Sequence, residues 1–234
     1  SIAAFVAAML SKTGAAPLPA VLLICCWWRH GSIRRLDMLR SVPFFVISVV
    51  TGLVQIWFQT HRAIGEHIVR DEQFLQRLAG TGRAVWFYLF KAVLPVNLSF
   101  VYPRWHTAVG DWHVFVPGIA LVLVAALCWF GWRYGGRAAL FALAYVVVTL
   151  GPVLGFVDIY FMRYSYVADH YQYFSIIGVL ALVVAACRWV VPGQVRVRKR
   201  PKGAAILTVL VVLSLSLGTW GRCHVYKNSE TLWR

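Results

Sequence analysis

The chain has 234 residues, 60% of them hydrophobic and only 13% charged, with a mean hydropathy of +0.70. Soluble domains are about half apolar and about a quarter charged, so this balance argues against a soluble domain and for a polytopic membrane protein. Lysine and arginine total 23 against 8 acids, a net charge of +15; because the bases lie between apolar runs they read as a topology signal, and no nucleic-acid partner is expected.

In chain order, the first run is SIAAFVAAML (1–10). It has no charged leading region and does not read as a signal peptide; the expectation is an internal fragment that opens at the end of a truncated span. The run 15–28 carries Pro17 and Pro19 near its start, where a helix tolerates proline. RHGSIRRLDMLR (29–40) is basic. A full span needs about 20 residues and about 17 suffice. The run 42–58 meets that, followed by a loop over 59–83 and a short run, 84–96, that contains Lys91. Beyond a polar loop (97–114) come spans 115–131 and 138–157, joined by WRYGGR, and then the polar loop 155–172. Spans 173–191 and 204–221 flank RWVVPGQVRVRKRPKG (188–203), which has six bases and no acid. The expected fold is therefore all-α: a polytopic helical bundle with five full spans and partial helices over 1–221, and an extracytoplasmic tail, 222–234. Cys25, Cys26, Cys128, Cys187 and Cys223 follow no zinc or disulfide spacing and read as packing residues.

The basic loops 29–40, 132–137 and 188–203 are expected in the cytoplasm. Loops 97–114 and 155–172, the turn at Lys12 and the tail then face outward. With 59–83 and 97–114 both outside, 84–96 cannot cross once, and is read as a re-entrant or membrane-surface helix.

The outward turns gather Lys12, Arg104, Arg163, Asp111, Asp158, Asp169, His106, His113, His170 and several tyrosines. Charges at membrane depth cost roughly 2.5–3.5 kcal/mol, so such a set is expected to line a cavity or bind a ligand. Each also has a plainer reading: Lys12 as a side chain reaching for the interface, Arg163 and Asp169 as a structural ion pair, the tyrosines as interface residues. There is no metal motif; no protein-bound metal or other cofactor is expected, although a lipid phosphate would be able to recruit a divalent cation.

Five stretches, in order, carry a resemblance: LSKTGAAPLPAVLLICCWWR (10–29), YLFKAVLPVNLSFVYP (88–103), LGPVLGF (150–156), VADHYQYFSIIG (167–178) and YKNSETLWR (226–234). Their order and spacing resemble bacterial relatives of the transmembrane, tetratricopeptide-repeat protein O-mannosyltransferases, which have the GT-C glycosyltransferase fold. The resemblance implies a multi-pass enzyme of the bacterial inner membrane whose active side faces the periplasm. It implies transfer of a mannose-like sugar from a polyprenyl-phosphate carrier to a protein hydroxyl, and a tail leading into a repeat array. Such a donor needs an apolar groove for its tail and cations for its phosphate. The candidate binding residues are Lys12, Arg163, Asp169, His170, Tyr171 and Tyr102; where the family usually has arginine, this chain has His170. The family's catalytic acid belongs to an outer loop upstream of this stretch, so no catalytic residue is assigned. The competing readings are a lipid-linked oligosaccharide ligase or polymerase, and a non-enzymatic transporter or scaffold.

Overall fold

The computed structural model describes residues 1–64, 72–105, 111–190 and 202–228. The expectations placed on 191–201 in the middle of the basic loop, on His106, and on the last residues of YKNSETLWR fall outside the described residues. The chain forms two units, Ser1–Ala185 and Ala186–Arg234.

Among the described residues the structure is helical throughout, without a strand. The helices are α1 (Ile2–Ser11), α2 (Leu18–His30), α3 (Arg35–Phe58), α4 (Phe74–Val93), α5 (Val116–Phe130), α6 (Gly136–Leu150), α7 (Ser175–Val190) and α8 (Lys202–Cys223). Short 3-10 turns link several of them, and α3 runs on through a π turn, Gln59–Ile64. Three stretches are long and apolar enough to cross a membrane: Arg35–Ile64, Trp112–Phe130 and Gly136–Val153. Helix α7 has 16 residues, shorter than the apolar run that announced it. In the first unit α1 packs on α3, α3 on α2, α2 on α6, α6 on α5 and α5 on α4.

Prolines sit where the sequence reading put them, in the first turn of α2. That helix stops at Gly31, whose φ of 77° is a left-handed conformation that glycine adopts without a Cβ clash.

The expected loop 59–83 is corrected by the structure: α4 begins at Phe74, ten residues before the apolar run, and ends at Val93. The Gln73 amide donates to Gln76 Oε1 at 2.6 Å and opens the helix. Buried positions then recur every third residue, at Ala79, Gly82, Val85, Tyr88 and Lys91. Charged residues on the other faces find partners. Arg77 pairs with Asp158 at 3.2 Å, and the Arg83 guanidinium lies 4.5 Å from the Trp105 ring centre. Gly82 is needed for the α4/α5 approach, since a Cβ there would lie 2.6 Å from the Gly118 backbone. One pair of glycines thus lets two helix backbones touch. Trp86 Nε1 donates to the Pro117 carbonyl at 2.9 Å beside it.

Lys91 is buried, and among the described residues it has no acid beside it. Its ammonium donates to the carbonyls of Val96 at 2.6 Å and Asn97 at 2.9 Å, just past the end of α4, between the rings of Tyr102 and Phe87 at 5.3 and 5.6 Å. A cation near a helix C-terminus meets the negative end of the helix dipole, so the lysine that shortened the apolar run serves to cap it.

The main core is built from Ala84, Val85 and Tyr88 of α4, Val146 and Leu150 of α6, Val179 of α7, and Tyr102, Leu154 and Val167 from the connections. The segment between α6 and α7 is therefore seated against α4 rather than hung in solvent. Its buried polar groups are satisfied, as burial requires. Ser165 Oγ donates to the Val167 carbonyl at 2.7 Å and accepts from the Tyr102 amide at 3.1 Å. Gln172 Nε2 donates to the Tyr88 carbonyl at 2.5 Å. The Ala168 amide donates to the Tyr88 hydroxyl at 3.1 Å.

Candidate functional site

Where α1, α3 and α6 end, they enclose a cavity of about 430 Å³. The second half of α3 lines it with Gly52, Gln55, Ile56 and Gln59, spaced i, i+3, i+4 and i+7 and so on one helix face. The end of α6 contributes Thr149, followed by Pro152 and Val153. Lys12 comes from just beyond α1, its amide donating to the Ala8 carbonyl. The 3-10 turn Asp169–Gln172 brings His170 and Tyr171 to the wall, with Tyr173 and Phe174 following.

Lys12 is the single permanent cation among the described residues of this lining. Its Nζ lies 5.9 Å from the Tyr173 ring centre, within reach of a cation–π attraction. Burial pushes the His170 pKa below its ordinary value, and the Lys12 charge pushes the same way, against a smaller opposing pull from Asp169. His170 is therefore a neutral imidazole at pH 7, able to donate or accept a hydrogen bond but adding no charge. Burial pushes the Tyr171 hydroxyl up to about 12, which keeps it a proton-bearing donor at physiological pH. The wall thus offers one ammonium, one neutral imidazole, phenol hydroxyls, two carboxamides and the hydroxyls of Thr13 and Thr149, set among aliphatic and aromatic surfaces. Such a pocket suits an amphiphile with an anionic, hydroxyl-rich head.

Of the residues picked out from the sequence, Lys12, His170 and Tyr171 meet at this cavity. Arg163, Asp169 and Tyr102 do not line it. Arg163 closes the turn Tyr160–Arg163 on its exposed side. Asp169 Oδ1 accepts from the Tyr102 hydroxyl at 2.8 Å, so among the described residues this carboxylate is tied to a phenol and forms no ion pair with Arg163. Tyr102 is buried, and its hydroxyl also accepts from the Ser99 amide at 3.0 Å. These two residues hold loop 97–105 to the turn that carries His170 and Tyr171. Arg104 donates to the Tyr166 hydroxyl at 2.8 Å, and Tyr166 donates to Glu72, a second tie between outward segments. Asp111 accepts from the His113 amide at 3.1 Å and starts a short turn.

Gln55 and Thr149 were missed because they lie inside apolar runs, and Gln59 because it directly follows one. Two glutamines four residues apart within a span was the available signal, since polar residues there face protein or a cavity far more often than lipid. No group of three histidine, cysteine or acidic side chains comes together among the described residues, and no carboxylate is among the described residues of the lining. Comparison with family models, with curated proteins and with solved structures finds no match to this chain.

Proposed function

We propose that this chain is the donor-binding part of a multi-pass membrane glycosyltransferase, moving a mannose-like sugar from a polyprenyl-phosphate carrier to a protein hydroxyl. The cavity carries the reading: Lys12 stands beside a neutral imidazole and phenol donors at one end of helices whose other faces are apolar. In this reading Lys12 meets the phosphate, with Tyr171 or His170 donating to a phosphate oxygen, because a charge-assisted bond to phosphate is about twice as strong as a neutral one. Gln55 and Gln59 face the sugar hydroxyls, and Tyr173 and Phe174 offer stacking surfaces. The prenyl chain leaves across Ile56 and Val157 toward the lipid. The resemblance in the sequence supplies the reaction. The bond from the sugar C1 to the phosphate oxygen breaks, a bond from C1 to the acceptor oxygen forms, the acceptor proton passes to a general base, and polyprenyl phosphate leaves. Among the described residues the lining offers no carboxylate for that base, which fits a role in holding the donor rather than activating the acceptor. The GT-C fold, the inner membrane of a bacterium and an outward-facing cavity belong to the same proposal. The cavity sits at the end of α3 and α6 opposite the basic turns, and basic turns favour the cytoplasm.

The test is binding of a radiolabelled polyprenyl-phosphate mannose to the purified chain in detergent. Lys12→Met should weaken it at least about tenfold, roughly 1.4 kcal/mol, while Arg163→Gln, remote from the lining, changes it little. Absence of binding, or equal binding by Lys12→Met, would overturn the reading.

A further inference from the structure

The opposite end of the same helices is built around one arginine. Arg137, in the first turn of α6, donates through Nη2 to the Trp27 carbonyl at 3.1 Å and also to the Trp28 carbonyl, the last carbonyls of α2. Its guanidinium lies among the rings of Trp28, Trp132 and Trp27, at 5.2, 5.6 and 5.9 Å. This staple joins the end of α2 to the start of α6. The left-handed turn at Gly31 brings the start of α3 to the same level. Four further arginines follow from that placement: Arg29 in the last turn of α2, Arg34 and Arg35 where α3 begins, and Arg133 between α5 and α6. All four are exposed, and among the described residues none makes an ion pair. The local acid, Asp37, is engaged at Oδ2 by the Arg34 amide at 3.1 Å. Exposed aromatics stand at the same level, Trp129 at 60% and Tyr134 at 85% exposure.

We infer that this end is a binding surface for anionic phospholipid headgroups. Four unpaired guanidiniums in short turns match several phosphates at once, and guanidinium recognises phosphate through paired N–H donors. Aromatic side chains with a polar edge settle at the headgroup level of a bilayer, which sets the arginines at phosphate height. Basic clusters bordering apolar helices draw anionic lipid by surface potential. Arg137 contributes by position alone, since its Nη2 is spent on the α2 carbonyls and its Nε is buried. The inference rests on the membrane setting proposed above, but not on the donor, the reaction or the cavity.

The test reconstitutes the 234-residue chain into bilayers of equal phosphatidylcholine and phosphatidylglycerol, extracts it in mild detergent and measures the lipids retained by mass spectrometry. The expected result is enrichment of phosphatidylglycerol. It should fall at least about fivefold in Arg29→Gln/Arg34→Gln/Arg35→Gln/Arg133→Gln, and less when the same four positions carry lysine, which keeps the charge but not the paired donors. Arg29→Gln/Arg133→Gln, which leaves the first turn of α3 untouched, should lose a smaller share and serves if the fourfold variant does not fold. Arg163→Gln, at the other end, should retain the wild-type ratio. Equal retention of the two lipids by the wild-type chain, or an equal loss with Arg163→Gln, would overturn the assignment. Failure to enter bilayers would overturn it together with the membrane setting. Failure of donor binding alone would leave it standing.

Discussion

Helix α5 has no charged residue and not one buried side chain, whereas the segment that follows α6 carries Asp158, Arg163, Asp169 and His170 and yet holds Met162, Ser165, Val167 and Ala168 at 1% exposure or less. In a water-soluble protein the two would have traded places. The difference fits helices long and apolar enough to cross a membrane. An apolar helix surrounded by hydrocarbon gains nothing by turning inward, because lipid is as apolar as leucine. A segment of irregular backbone has unpaired N–H and C=O groups that hydrocarbon cannot satisfy, so it must be seated on protein. Tyr88 is where that seat is fixed, through its ring, its hydroxyl and its carbonyl.

The largest effect is expected from removing that seat. Tyr88→Ala deletes a large buried ring and leaves the Ala168 amide without its acceptor. It should lower stability by about 3–5 kcal/mol. Val122→Ala on α5, where the side chain is 67% exposed, should stay within about 0.5 kcal/mol. Denaturant unfolding in a fixed detergent measures both, and equal losses would break the contrast.

A middle effect belongs to Gly82, where α4 carries the buried segment against the exposed helix. Gly82→Val drives a side chain into the Gly118 backbone and should cost about 1–3 kcal/mol. Gly52→Ala, with no neighbour within 4 Å of a new Cβ, is the control and should leave the midpoint nearly unchanged.

The smallest effect is a pH dependence confined to the buried segment. Burial and Lys12 hold the His170 pKa below its unfolded value of 6.5. At high pH both states carry neutral imidazole and nothing is gained or lost. As pH falls below 6.5, the unfolded chain takes up a proton that the folded chain resists, so stability declines until the lowered folded pKa is passed. Histidine NMR should show Lys12→Met moving that pKa upward, toward 6.5. No movement would mean that the lysine does not face the imidazole.

The sequence made the apolar helices legible because one-sided composition over many residues is a strong signal. The run 115–131 became α5 almost to the residue. Helix α4 was hidden because Arg77, Arg83 and Lys91 depress its hydropathy. Its pattern is a stripe of small and apolar residues every third position, and the partners that neutralise its charges, Asp158, Trp105 and two carbonyls, lie in other segments. At the site, Lys12, His170 and Tyr171 were legible as polar residues on one side of the apolar runs. The split between these and Arg163, Asp169 and Tyr102 was not, since residue type cannot say which face of a 3-10 turn looks into a cavity. Gln55 was hidden in the opposite way, by the apolar run around it, and Gln59 by standing at that run's end.

The stripe on α4 also fixes how that helix is free to change length. Gly82 must meet Gly118 while Tyr88 meets Ala168 and Lys91 meets the carbonyls of Val96 and Asn97, and these three directions, on different sides of the helix, are all set by one rotation of it. Each residue advances an α-helix by about 100°. One residue inserted between Gly82 and Tyr88 would turn the tyrosine and the lysine out of their seats together, and an insertion of seven residues, nearly two whole turns, would restore the phase to within about 20° but carry both about 10 Å along the axis. Lineages of this chain are therefore expected to lengthen α4 only ahead of Ala79, with the helix acting as a gear whose teeth engage two different parts of the molecule.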